Sequence, residues 1–218
     1  MRSIIYTVAA SMIFATSCKE AEDKALPDSV VTETTTTTVV KEETTEAPLD
    51  SAAVQKAWVD YMTPGDVHKM LAMDNGKWEE EICIWESPEG KSTTSKATAE
   101  SKMILGGRYQ EMRHTGSVMG MPFEGIGTMG YDNASKKMVS TWIDNMGTGM
   151  MYTTADFDGT SKTMEFKGEV MDPVTKKSKP VREVFTLVDN NTRRMEMFDV
   201  TAEGKEFKSM EITMTRKK

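Results

Sequence analysis

The sequence predicts an all-β fold, an antiparallel up-and-down barrel of about ten strands with short N-terminal helices in front of it. Three observations carry that expectation. From Gly76 onward apolar and polar residues alternate with period two, as in strands that bury one face. The runs are separated by short polar turns: Asp132-Asn133, Asp144-Asn145, Asp158-Gly159, Asp172-Pro173, Asp189-Asn190-Asn191 and Glu203-Gly204. Such turns join antiparallel neighbours. No stretch has the strand–helix–strand spacing of a parallel sheet, and closing the sheet on itself removes its edges.

The elements follow in order. Ala52 to Met62 reads as a helix, and Thr63-Pro64-Gly65-Asp66 as the start of a second one, with Thr63 as N-cap and Pro64 at the first helical position. Val67, Met70 and Leu71 share a face of that second helix, so the pair is expected to plug or cap the sheet. In the first strand Trp78, Ile82 and Ile84 alternate with Glu79, Glu81 and Trp85. Nine further strands are expected over Thr94–Ile104, Arg108–Ser117, Phe123–Tyr131, Lys137–Asp144, Gly149–Phe157, Thr163–Met171, Val181–Asp189, Arg194–Val200 and Lys205–Arg216. Met164, Phe166, Gly168 and Val170 share one face, as do Met195 and Met197, and Met210, Ile212 and Met214. Phe207 is out of phase with the last set, which predicts a bulge near Lys208-Ser209.

Ahead of this domain, residues 1–17 carry Arg2 and then an apolar run from Ile4 to Ala15. The run is too short to cross about 30 Å of hydrocarbon and has the form of a secretory signal. Its exit, Ala15-Thr16-Ser17-Cys18, resembles the bacterial lipobox, with Ala15 in place of the usual Leu, and makes Cys18 the expected site of lipidation. Residues 18–50 form a Thr- and Glu-rich linker with no aromatic residue, expected to be a disordered tether. The cluster Lys19-Glu20-Ala21-Glu22-Asp23 resembles the surface-export signals of some Gram-negative lipoproteins, although a solvated tether is the simpler reading. Residues 51–218 are the barrel domain. The expected place is therefore outside the cytoplasm, on a bacterial membrane, with the outer membrane favoured.

The chain has 27 basic and 34 acidic side chains and a net charge of −7; without residues 1–17, which hold Arg2 and no acid, the net is −8. An acidic surface disfavours nucleic acid as a partner. Cys83 is the one thiol beyond Cys18, lies in an alternating run and is expected to be a small buried residue. There is no His-x-x-x-His pair, no Cys-x-x-Cys and no Gly-x-Ser-x-Gly elbow, so neither zinc catalysis nor a serine triad is expected. Gly125-Ile126-Gly127-Thr128-Met129-Gly130 has the spacing of a dinucleotide loop, but a turn follows where a helix would be needed. Its glycines are expected to coil the sheet or leave space inside it. The 20 methionines are mostly in phase with the apolar faces. They read as core filler or as the lining of an adaptable apolar pocket, ahead of a Cu(I) site at Met119, Met121, Met150, Met151 and His114. A haem held by His68 or His114 is likewise a minor alternative. No cofactor, no metal and no catalytic residues are expected.

A set of words in the domain closely resembles the family known as domain of unknown function 1579. They are Gly76-Lys77-Trp78, Leu105-Gly106-Gly107-Arg108, Met119-Gly120-Met121-Pro122-Phe123-Glu124-Gly125, Gly130-Tyr131-Asp132 and Thr141-Trp142-Ile143-Asp144-Asn145-Met146-Gly147-Thr148-Gly149. The resemblance runs from about Met62 to Lys217. It implies a lipocalin-like (calycin) barrel and no established reaction. The functional expectation is a lipid-anchored envelope protein, not an enzyme, whose barrel takes a small apolar or amphipathic ligand. Trp78, Met121, Phe123, Glu124, Tyr131 and Trp142 are expected near that ligand, with Arg108 orienting its polar head. The alternative is a structural or assembly lipoprotein with a filled barrel that acts through its outer surface.

Overall fold

The structure, a computed structural model, describes residues 50–201 and 203–218. The expected signal segment, Cys18 and almost all of the linker lie outside these residues. Two helices, α1 (Ser51–Met62) and α2 (Asp66–Ala72), precede ten strands. These are β1 (Gly76–Ile84), β2 (Thr93–Ile104), β3 (Tyr109–Val118), β4 (Met121–Asp132), β5 (Lys137–Asp144), β6 (Met151–Asp156), β7 (Thr163–Met171), β8 (Ser178–Asp189), β9 (Thr192–Val200) and β10 (Glu206–Arg216). Each strand pairs antiparallel with the next, and β1 pairs with β10 to close the barrel. The up-and-down barrel expected from period and turns is the fold observed. The register shift between Lys208 and Met210 falls where Phe207 lost phase with its strand.

Turn chemistry sets the register. In the β3–β4 hairpin Val118 faces Met121, and the two residues between them, Met119 and Gly120, have φ of 53° and 79°. Positive φ at both positions matches the right-handed twist of the flanking strands, and only the second position carries the residue that adopts it without strain. Asp158, Asp172 and Asp189 each accept hydrogen bonds from backbone N–H groups two or three residues on, which closes their turns.

Antiparallel order places the two helices and the turns after β2, β4, β6 and β8 at one end of the barrel, and the remaining connections at the other. Helix α2 plugs the first end. Leu71 is buried there with Met138, Ala155, Phe157, Met164 and Phe166, and Val67 and Met70 pack against the same cluster. Two features of the helical region differ from expectation. α2 begins at Asp66 after Gly65, because the Thr63 hydroxyl donates back to the Val59 carbonyl and so finishes α1 instead of capping α2. The Gly65 N–H is satisfied by His68 Nδ1 at 3.0 Å. Helix α1 buries none of its residues and is attached at its C-terminal end, where Asn133 donates to the carbonyls of Asp60, Tyr61 and Thr63.

Beside the plug lies a buried ion pair. Arg193 of β9 meets the Asp74 carboxylate at 2.5 Å through Nη2 and at 3.0 Å through Nε, and both side chains are almost wholly enclosed. Asp74 also places its carbonyl to accept the Trp78 indole N–H at 2.9 Å. The guanidinium of Arg216 stacks over the Trp78 ring at 4.3 Å, and Arg216 donates to the carbonyls of Met73 and Asn75. These bonds fasten the helical segment to β1, β9 and β10. Cutting one partner of a buried pair strands the other charge in a poorly solvating interior, at a cost of about 3–5 kcal/mol. Arg193→Met should therefore lower the unfolding free energy by about that amount in urea titrations, and adding Asp74→Asn should recover part of it.

Candidate functional site

Ten strands enclose more space than α2 and the inward side chains occupy. A cavity of about 400 Å³ lies inside the barrel, extending from the layer above the plug toward the opposite end. Its walls come from alternate residues of the strands, and they are mainly apolar. Ile82, Met112, Phe166, Phe185 and Met214 form its inner part, and Ile84, Val118, Phe123, Met151 and Met197 its outer part. The strand pattern explains this lining directly, since the inward parity carries Ile82 and Ile84 on β1, Met164 and Phe166 on β7, Met195 and Met197 on β9, and Met210, Ile212 and Met214 on β10.

Seven polar residues interrupt the apolar wall, and three are carboxylates. Glu80, on β1, is buried and meets His114 of β3, with both its oxygens 2.9 and 3.1 Å from Nδ1. The His114 ring stands edge-on to the Trp142 indole at 5.0 Å, and Phe123 stacks on the other part of that indole at 6.3 Å. The Trp142 N–H donates to Asp144 Oδ2 at 2.6 Å, and Asp144 Oδ1 accepts the Met146 N–H at 2.9 Å. Gly125 makes this arrangement possible. A Cβ there would come within 2.6 Å of the Trp142 ring, so the first glycine of the Gly-x-Gly-x-x-Gly run is the seat of an aromatic side chain. Gly127, the next, lines the cavity itself.

The third carboxylate is Glu183 of β8, which is 8% exposed. Its cross-strand neighbours are Phe166 on β7 and Met197 on β9, and its one hydrogen bond is a long one of 3.5 Å from the Thr153 hydroxyl. Burial among these apolar groups pushes the Glu183 carboxyl up to about 7, against the pull of the Thr153 hydroxyl. Elsewhere, His68 in the plug is lowered, chiefly by burial. Among the described residues no three His, Cys, Asp or Glu side chains converge into a metal-binding set.

Of the residues singled out from the sequence, Phe123 and Trp142 line this cavity. Trp78 is fully buried in a separate cluster with Ala99 and Met214. Tyr131 packs at the plugged end, edge-on to His68. Arg108 reaches the carbonyls of Leu105 and Met62 and holds the end of α1. Met121 is exposed near the open end, and Glu124 lies outside the barrel beside Arg113 and Asn145. Cys83 also differs from expectation: Ile82 and Ile84 face inward, so it faces out, half-exposed, with its sulfur 3.7 Å from the Thr94 hydroxyl. Sequence reasoning missed Glu80 and Glu183, although each is in phase with inward apolar neighbours.

A family model described as "Protein of unknown function (DUF1579)" matches residues 63–216. No curated protein matches the chain. Among solved structures, the crystal structure of Rv2717c from M. tuberculosis is similar with a TM-score of 0.52 and 9% identity, over 72% of this chain and 100% of that one. A redesigned beta barrel is similar with a TM-score of 0.38 and 11% identity, over 68% of this chain and 95% of that one. The first is a likeness of fold alone, and the second carries no argument.

The raised Glu183 carboxyl makes stability depend on pH with a definite sign. Unfolding returns it to its ordinary value of 4.5, so the folded state holds the proton more tightly. That contribution is complete below about 4.5 and is lost as the pH rises through about 7. Glu183→Gln keeps the shape and removes the ionisation. Denaturant titrations should find the variant more stable than the parent at about pH 8, by up to about 3 kcal/mol, with the gap closing toward about pH 5. Parallel profiles for the two proteins would contradict the assignment.

Proposed function

The protein belongs to the DUF1579 family, and from that premise we propose that its barrel binds a small apolar or amphipathic molecule. The observation that carries this reading is the cavity: about 400 Å³, walled mainly by Met, Ile, Phe and Trp, with a few convergent polar groups. Small-molecule sites have that size and that mixture. Methionine suits such a wall, because an unbranched thioether repacks around ligands of different outline. At the open end Met119, Met121, Met146, Met150 and Met171 are exposed. They offer an apolar approach to the mouth. A chain anchored at Cys18 on the outer membrane, with its linker as a tether, would meet such molecules at the lipid surface.

The alternative, a lipoprotein with a filled barrel acting only through its outside, is disfavoured by the same cavity. Its remaining support is the exposed apolar set on α1, Val54, Trp58 and Tyr61, which the barrel leaves uncovered.

Gly127 gives a clean test, since a Cβ there makes ordinary contact with Trp142 at 3.5 Å and a longer side chain extends into the cavity. Nile red should bind the protein with a blue-shifted emission, and decanol should displace it. Gly127→Leu should weaken dye binding at least about tenfold, or about 1.4 kcal/mol, with thermal unfolding little changed. Equal binding by a folded Gly127→Leu variant would place the dye elsewhere and overturn the reading.

A further inference from the structure

We propose that the cavity selects a ligand with a positively charged head, a hydrophobic amine in its ammonium form, and that Glu183 is its counter-ion. The inference rests on the reading of the barrel as a binding module and adds the chemistry of the ligand. Three carboxylates line the cavity and no Lys or Arg does. Two of the three are already engaged. Glu80 holds His114 with both oxygens, and Asp144 accepts from the Trp142 indole and the Met146 N–H. Glu183 is different. It is more than nine-tenths buried, its Oε2 receives a single long bond from Thr153, and Oε1 has no hydrogen-bond partner among the described residues.

A buried carboxylate whose one hydrogen bond is long is costly, and a ligand that brings donors and a positive charge into the cavity would offset that cost. An ammonium group supplies both the charge and up to three N–H donors, in a medium where charge-assisted bonds are stronger than in water. Phe166, the cross-strand neighbour of Glu183, and Phe185, two residues along the same strand, also line the cavity, and aromatic walls favour a cation over an anion. A fatty acid would instead bring a further negative charge to a wall that carries three carboxylates and, among the described residues, no Lys or Arg.

The electrostatic setting of Glu183 is simple. Thr153 on β6, Phe166 on β7 and Met197 on β9 carry no charge. Arg182, next in the chain, pairs outside with Glu206 and Glu165. Across the cavity the titratable groups are Glu80 and His114, paired to each other, and Asp144. Ionisation of Glu183 is then the step that prepares the site, and amine affinity rises as the pH passes upward through the range where Glu183 loses its proton.

The test is calorimetric titration of the protein with decylamine, decanol and decanoate, each below its aggregation concentration, at about pH 8 and about pH 6. Decylamine should bind at least about tenfold tighter than decanol, decanoate should bind weakest, and decylamine affinity should fall about tenfold at the lower pH. In Glu183→Gln the amine should lose its advantage over decanol, with a cooperative thermal unfolding transition reporting separately that the variant is folded. Glu183→Asp should retain part of the preference. Decanoate binding as well as decylamine, or an amine preference that survives Glu183→Gln, would overturn the assignment of the head group while leaving the binding module intact. If none of the three binds, the binding module itself falls.

Discussion

Closure of a ten-stranded sheet is the constraint on which the rest depends. Barrel diameter grows with strand number, and about eight strands give an interior that side chains alone can fill. With ten the chain must bring something more, and the helical segment brings it at one end. Helix α2 lowers Leu71 into the cluster around Met138 and Phe166, and the Arg193–Asp74 pair with the Trp78–Asp74 bond fastens the helical segment to the wall. Among the described residues the other end receives no such plug. The cavity is what remains, a consequence of strand count rather than of imperfect packing.

The three carboxylates inside that space divide into two that the fold engages and one that it barely does. Glu80 is spent on His114, and Asp144 on Trp142 and Met146, so these groups orient the aromatic wall formed by His114, Trp142 and Phe123. Glu183 orients nothing. A local conflict of this kind, a charged residue in an apolar phase with one long hydrogen bond, is where a sequence that otherwise agrees with its fold points to function.

Much of the fold was legible because strand parity is a strong signal. All ten strands and the bulge at Lys208–Met210 followed from which residues stay in phase. The site was less legible, and for a physical reason. Aromatic and Met residues attract attention as ligand contacts, yet Trp78 and Tyr131 were drawn into packing and Arg108 into holding a helix end. The informative residues were the polar ones in apolar phase. Glu80 shares the parity of Trp78 and Ile82, Glu183 that of Val181 and Phe185, and Arg193 that of Met195 and Met197. Their partners, His114 and Asp74, lie 34 and 119 positions away, so parity alone could place them inside without saying what they meet. The start of α2 failed on a finer scale, because Thr63 could serve either helix end and its hydroxyl bonded backward to Val59.

The central claim is that the barrel interior is a binding site and not merely a residual void. Native mass spectrometry of the protein purified from its source cells without added amphiphile tests it most directly. The account predicts a bound small molecule that is released on denaturation and is missing from Gly127→Leu. A folded parent protein that carries no adduct and takes up none from a lipid extract of the same cells would contradict it.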